Sequence, residues 1–285
     1  YFLLSKNRLM KTIIVPTDFS PVAVNAMNYA VNLALATDAS VMLLHVFQLP
    51  VSYNNTDIPL PLMDIGELEK INKERIDELK TQVQQVSSDK LKITAEVKLG
   101  HLIDELKAIC AATRPFAVVM GTKGAGFVER LLVGSSTLSA IRNITTPVLV
   151  VPPDAVFNTI QRIGFACDFK KIGDTTPVTA IKEWIKTFKA TLSVLNVDNK
   201  NQNVKDTAGQ SVLLYTLLQE LHPKYFYIDN PNVETGISEF AESNNLDLMI
   251  VIPRKHRLLD LLFQKSHTKE LVFHSRIPIL SVHEE

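Results

Sequence analysis

Glycine is scarce in this chain, with 10 residues in 285 against a usual share of roughly 7%. Cysteine is scarcer, with only Cys110 and Cys167, which excludes a disulfide framework and the spacing of a zinc site. Neither charge sign is in excess: Lys+Arg and Asp+Glu both number 30. The halves are balanced too, with 15 basic and 14 acidic groups in residues 1–152 and 15 and 16 in 153–285. Neither half carries the electrostatic footprint of a nucleic-acid or anionic-membrane binder. Long hydrophobic runs are missing, so no segment approaches the roughly 18–20 apolar residues of a membrane span. The start lacks the long apolar core and small-residue cleavage site of a signal peptide. Cytoplasm is the expected location. Residues 1–9 read as a leader, or a cloning remnant, ahead of Met10-Lys11-Thr12.

What is present begins with the few glycines. Gly121, Gly124, Gly126 and Gly134 fall within fourteen positions, where the chain-wide rate would put about half a glycine. A sequence sparing with glycine has gathered it where backbone must be bare.

The apolar pattern supplies the frame. Ile13-Ile14-Val15-Pro16 fits a buried strand, and Ser20-Pro21 opens a helix as cap and first-turn proline. Residues 41–46 read as a second strand and 49–63, with three prolines, as a long loop. A charged helix over about 64–86, a strand over 92–97, a helix over 102–112, a strand over 116–120, a helix over 135–143 and a strand over 147–151 follow. Near-continuous apolar strands alternating with helices predict a parallel sheet covered on both faces. The second half repeats the order. Residues 163–167 answer 13–17, 191–197 answer the strand ending at Val46, 248–252 answer 116–120, and 278–282 answer 147–151. Two tandem domains are expected, over 10–153 and 154–285.

Chemistry concentrates where the fourth strand ends. Gly121-Thr122-Lys123-Gly124, nine residues, then Gly134-Ser135, runs from a buried strand to a helix start. Bare backbone lets phosphates approach, and N–H groups at a helix start point at an anion. Lys123 adds charge, and Ser135 and Ser136 add hydroxyls. An ordinary glycine-rich turn before a capped helix fits the same spacing. A Walker A loop is absent, and Thr17-Asp18-Phe19-Ser20 stands where a dinucleotide fingerprint would place glycines. Asp18, at the end of the first strand, faces the crevice of a doubly wound sheet. It could accept a hydrogen bond from a ribose hydroxyl or an adenine amine, or serve as an Asx turn.

Val15-Pro16-Thr17-Asp18-Phe19-Ser20, Leu44-His45-Val46 and the G-x-x-G-x9-G-S spacing together resemble the universal stress protein (UspA-like) family over residues 10–152. The resemblance implies an α/β fold of the adenine nucleotide alpha hydrolase type with strand order 3-2-1-4-5, often dimeric. It also implies ATP, with magnesium on the phosphates. Pro16, Thr17, Asp18 and Val46 would line the adenosine. Gly121, Lys123, Gly124, Gly134, Ser135, Ser136 and Thr137 would hold the phosphates.

The second half departs from the motif. Pro253 is read as the replacement of Gly121, His256 of Gly124 and Lys265-Ser266 of Gly134-Ser135. That half is expected to be nucleotide-free and to act as an intrachain dimer partner, with 148–151 pairing 279–282. Association of two chains is left open. The expected function is a stress-linked ATP-binding regulatory module with one site. A nucleotide-free interaction scaffold and a slow ATP hydrolase are the alternatives. No catalytic residue and no protein-bound metal is expected, Asp18 being the one group that could act as a base on water.

Overall fold

A computed structural model describes residues 10–49, 51–53, 59–61, 64–122, 134–169, 171–198, 204–253 and 276–284. The first half runs β1 (Thr12–Pro16), α1 (Pro21–Thr37), β2 (Ser40–Phe47), β3 (Val51–Tyr53), β4 (Pro59–Pro61), α2 (Ile65–Val86), β5 (Ile93–Leu99), α3 (Leu102–Thr113), β6 (Ala117–Gly121), α4 (Ser135–Asn143) and β7 (Val148–Val151). The second runs β8 (Arg162–Ala166), α5 (Ile172–Thr175), α6 (Val178–Phe188), β9 (Thr191–Asp198), α7 (Val204–Leu218), β10 (Lys224–Asp229), α8 (Val233–Ser243), β11 (Leu248–Val251) and β12 (Ile279–Ser281).

Ten strands form one sheet in the order β10-β9-β8-β11-β12-β7-β6-β1-β2-β5. Each half is a five-stranded parallel sheet of order 3-2-1-4-5, and the expected α/β doubly wound fold is the observed one. The halves meet at their fifth strands, which pair antiparallel: Ile279 with Val150, Leu280 with Leu149 and Ser281 with Val148. This is the pairing of a two-fold dimer, made inside one chain. Leu149 and Leu280 face each other with no exposed surface. Burying one such side chain contributes about 1.5–3 kcal/mol.

Strand alternation assigns the faces. Ile13 and Val15 join one core layer with residues of α1, α2, α6 and α7. Ile14, Leu44 and Val118 join the opposite layer with residues of α3, α4 and α8. Local signals start and stop the helices. The Ser20 hydroxyl accepts from Ala23 N at 3.3 Å and Pro21 follows it, while Asp38 closes α1 in a left-handed conformation.

Two features differ from expectation. Within the predicted loop 49–63, β3 and β4 form an antiparallel pair joining Val51 to Pro61 and Tyr53 to Pro59. Prolines suit a two-stranded pair, whose outer edges need no N–H donors. The first helix of the second half is split into α5 and α6. Pro177 lacks an N–H and disfavours helix at Thr176, so the chain bends there.

An aromatic stack reinforces the seam. The Trp184 indole on α6 lies against the Phe116 ring, with centroids 4.6 Å apart and planes at 16°. Lys11 Nζ sits 4.0 Å above that Phe116 ring, and pairs with Glu183 at 2.9 Å and Thr187 Oγ1 at 2.8 Å.

Candidate functional site

The chain leaves β1 through α1 toward β2 and leaves β6 through α4 toward β7. These adjacent strands are therefore exited in opposite directions, on opposite faces of the sheet. A crevice opens outside their carboxyl ends, and parallel α/β sheets bind ligands at such switch points. The register joins Ile13 to Ala117 and Ile14 to Val118, so the ends of β1 and β6 are level.

The β1 end is built as a strut. Pro16 and Thr17 are buried. Thr17 N donates to Leu44 O at 2.9 Å, and Thr17 Oγ1 accepts from Phe19 N at 3.0 Å. The Thr17 carbonyl lies 2.8 Å from His45 Nδ1, and a carbonyl can only accept, so Nδ1 carries the proton. The polar atoms of Thr17 are thus engaged internally, and Asp18 is the exposed polar group at this strand end. Val46 is half-buried on the α3 and α4 face.

Burial pushes the Asp18 carboxyl up. Hydrogen bonds from the side chain and backbone of Ser20 and from the backbone N–H of Asp18, with a smaller electrostatic contribution from His45, outweigh that and hold it below its ordinary 3.8. Asp18 is therefore ionised at neutral pH and suited to accept. A carboxylate lowered on folding adds stability that is full above pH 3.8 and lost as pH falls through the lower folded value. Asp18→Asn keeps the acceptor for Ser20 N (3.0 Å to Oδ1) but cannot titrate. It is expected to flatten the acid limb of a plot of Tm against pH. An unchanged acid limb would contradict the lowered carboxyl.

The β6 end meets two helix starts. Gly121 lies under α1: a Cβ there would stand 2.5 Å from Val22 Cγ1 and 2.7 Å from the Val22 carbonyl oxygen. Its bare backbone has a packing reason, independent of any ligand. Thr137 Oγ1 donates to Gly121 O at 2.9 Å, so this buried hydroxyl ties α4 to β6. Gly134 is the N-cap of α4, and no side chain caps that start among the described residues. The first N–H groups of a helix have no partner within it, and Ser135 and Ser136 beside them are exposed. Lys123 and Gly124 lie outside the described residues.

Phe19 is a contact that the motif reading missed. Its φ is 64°, in the left-handed region that bulky residues avoid. Its ring lies 4.6 Å from His45, and the Arg75 guanidinium of α2 sits 4.2 Å above it. The signal was available, because Asp-Phe recurs as Asp168-Phe169 and Phe169 also has a positive φ, of 52°.

A groove of about 570 Å³, lined by Lys107, Cys110, Arg114, Asn143 and Thr146 among others, opens at the N-terminal ends of β6 and β7, away from this crevice. Burial pushes the Cys110 thiol up and Thr146 partly offsets it, which leaves the sulfur a protonated, weak nucleophile. Among the described residues there is no cluster of His, Cys, Asp and Glu able to hold a metal, and no helix long and apolar enough to cross a membrane.

The family model described as the universal stress protein family matches residues 10–152. The chain belongs to the universal stress protein family. A universal stress protein of Methanocaldococcus jannaschii is 32% identical over 145 residues, covering 50% of this chain and 82% of that relative. A second from the same organism is 26% identical over 155 residues, covering 50% and 95%. The crystal structure of a universal stress protein from Archaeoglobus fulgidus superposes with a TM-score of 0.71 at 17% identity, covering 95% of this chain and 98% of that one. That last likeness shows the fold, and it spans both halves.

The second half copies the strut. Cys167 N donates to Leu195 O at 2.8 Å, Phe169 N to Cys167 Sγ at 3.4 Å, and Asn196 Nδ2 to the Cys167 carbonyl at 2.9 Å. These bonds match those of Thr17, Phe19 and His45. Sheet register corrects one equivalence. Ile163 pairs with Leu248 where Ile13 pairs with Ala117. Gly121 therefore answers to Ile252, and Pro253 to Thr122. The apolar run fits either register to within one residue, so only the pairing settles it. Thr122 N donates to Val151 O at 3.2 Å; Pro253 has no N–H for such a bond. Residues 254–275, including His256, Lys265 and Ser266, lie outside the described residues.

Proposed function

We propose that the first unit, taken as residues 10–153, is an ATP-binding regulatory module, and that the second, 154–285, is its nucleotide-free packing partner. The observation that carries this is a pairing across one crevice. An ionised, exposed Asp18 follows β1, and an α4 start that no described side chain caps follows β6. A carboxylate accepts from an adenine amine or ribose hydroxyl. N–H groups at the positive end of a helix, with Ser135 and Ser136, suit phosphate oxygens. Lys123 and Gly124, in the motif between them, supply charge and bare backbone. Magnesium is carried by the phosphates. His45 is engaged with Thr17 O and stacked near Phe19 and Phe47, which makes it a strut. Regulation through binding suits this site better than turnover, since turnover needs a base positioned on water.

The test uses substitutions that spare packing. Ser135→Glu with Ser136→Glu puts two carboxylates on exposed first-turn positions of α4. Negative charge there favours the helix but opposes a triphosphate. ATP binding is expected to weaken by about tenfold or more, at roughly 1 kcal/mol per charge pair in water-like surroundings, with Tm unchanged or raised. Calorimetric titration with magnesium ATP measures it, at about one ATP per chain. No binding by the unmodified protein at millimolar ATP favours the scaffold. Steady phosphate release that Asp18→Asn abolishes favours a slow hydrolase.

A further inference from the structure

The helix that carries the proposed phosphate end is held from both directions. At its start, Thr137 Oγ1 bonds the Gly121 carbonyl. At its other end, the His283 imidazole reaches in from the second unit. His283 Nε2 lies 2.7 Å from the Ile141 carbonyl, which can only accept, so Nε2–H donates. Both residues are buried, with His283 8% exposed. The last four carbonyls of a helix have no partner within it. In α4 the Ala140 carbonyl receives Ile144 N at 3.0 Å, and the Ile141 carbonyl receives His283.

Antiparallel pairing of β7 with β12 explains the reach. Ser281 lies opposite Val148, so residues after 281 run beside those before 148, where α4 ends. The equivalent position in the first unit has no side-chain donor. The register that pairs Val118 with Val148 and Met249 with Ile279 makes Pro152 the counterpart of His283. Proline has neither a side-chain donor nor an N–H. The Pro152 carbonyl instead accepts from Asn25 Nδ2 at 3.0 Å, inside the first unit. Among the described residues, this support runs from the second unit to the last turn of α4 in the first.

We infer that His283 is a positioning residue for the phosphate end of the nucleotide site, and that through it the second unit tunes affinity for the phosphates. The inference rests on the nucleotide reading above. A nine-residue helix is a rod about 13 Å long. Released at Ile141, it pivots on Thr137 and its first N–H groups leave register with the phosphates. Groups of β1 and β2, which face the adenosine, belong to other elements and keep their places.

The experiment titrates magnesium ATP and adenosine separately into the full chain, well below its Tm. His283→Phe and His283→Leu fill the buried site with two different shapes and remove the donor. His283→Gln keeps a donor. Whichever of the first two folds is expected to bind ATP about five- to tenfold more weakly, the equivalent of one buried hydrogen bond, with adenosine affinity unchanged. His283→Gln is expected to bind ATP within about twofold of the unmodified protein. Unchanged ATP affinity in the donor-free variant overturns the inference. So does a parallel loss of ATP and adenosine, which marks general loosening. If the unmodified protein binds neither compound, the nucleotide reading itself has failed and the inference falls with it.

Discussion

Trp184→Ala is expected to lower the unfolding free energy by about 3–5 kcal/mol, the usual range for emptying a buried aromatic site. Trp184 is fully buried and stacks on Phe116 of the first unit and near Phe188 of its own. Its removal opens a cavity against the Phe116 ring, which Lys11 also covers. Lys11 is itself held by Glu183 and Thr187. Trp184→Phe separates two contributions. The indole Nε1 is buried with no hydrogen-bond partner among the described residues, a cost of about 1–3 kcal/mol that phenylalanine does not carry. The Phe variant is therefore expected to lose far less than the Ala variant despite its smaller ring. Urea unfolding followed by circular dichroism measures both, since each change removes the only tryptophan. A loss below about 1 kcal/mol for the Ala variant would mean that this stack does not hold the units together.

The sheet was legible because its strands are buried on both faces and so read as unbroken apolar runs, such as Ile13–Val15 and Val148–Val151. The seam was legible from the repeat, which aligned the two last strands before any pairing was known. Less readable was whatever depends on a neighbouring backbone. Gly121 was conspicuous in the sequence, but its partner, the Val22 carbonyl, lies ninety-nine positions away and on another element. Thr17 is an adenosine contact by family resemblance. Its hydroxyl is turned to Phe19 N, a local bond that residue identity alone does not distinguish from a free one. His283 stood among four histidines of the last thirty residues with no motif around it. Its meaning comes from antiparallel pairing, which brings residue 283 beside 141. The one-residue slip between Pro253 and Ile252 has the same origin, since composition locates a strand and only hydrogen bonding sets its register.

Gly121→Ala is expected to destabilise the protein by about 1–3 kcal/mol, and to weaken ATP binding as a consequence. The added Cβ meets Val22 Cγ1 at 2.5 Å and the Val22 carbonyl oxygen at 2.7 Å. The first atom can rotate away; the second is backbone in the opening turn of α1, two residues after Ser20. That turn cannot shift without moving the Ser20 and Asp18 bonds that precede it. Val22→Ala in the same chain relieves only the side-chain clash, so the double variant is expected to recover part of the loss, and the remainder reports the backbone contact. Thermal unfolding of the four proteins in this cycle measures it. An unchanged Tm for Gly121→Ala would contradict the close approach. The second unit makes the cause visible. Ile252 stands at the place of Gly121 with a full side chain packed into the same core layer. There the helix starts as the short α5 and breaks at Pro177. The fourth strand tolerates a side chain where the following helix is broken, and must be bare where an unbroken seventeen-residue α1 begins directly over it. The glycine is set by that helix.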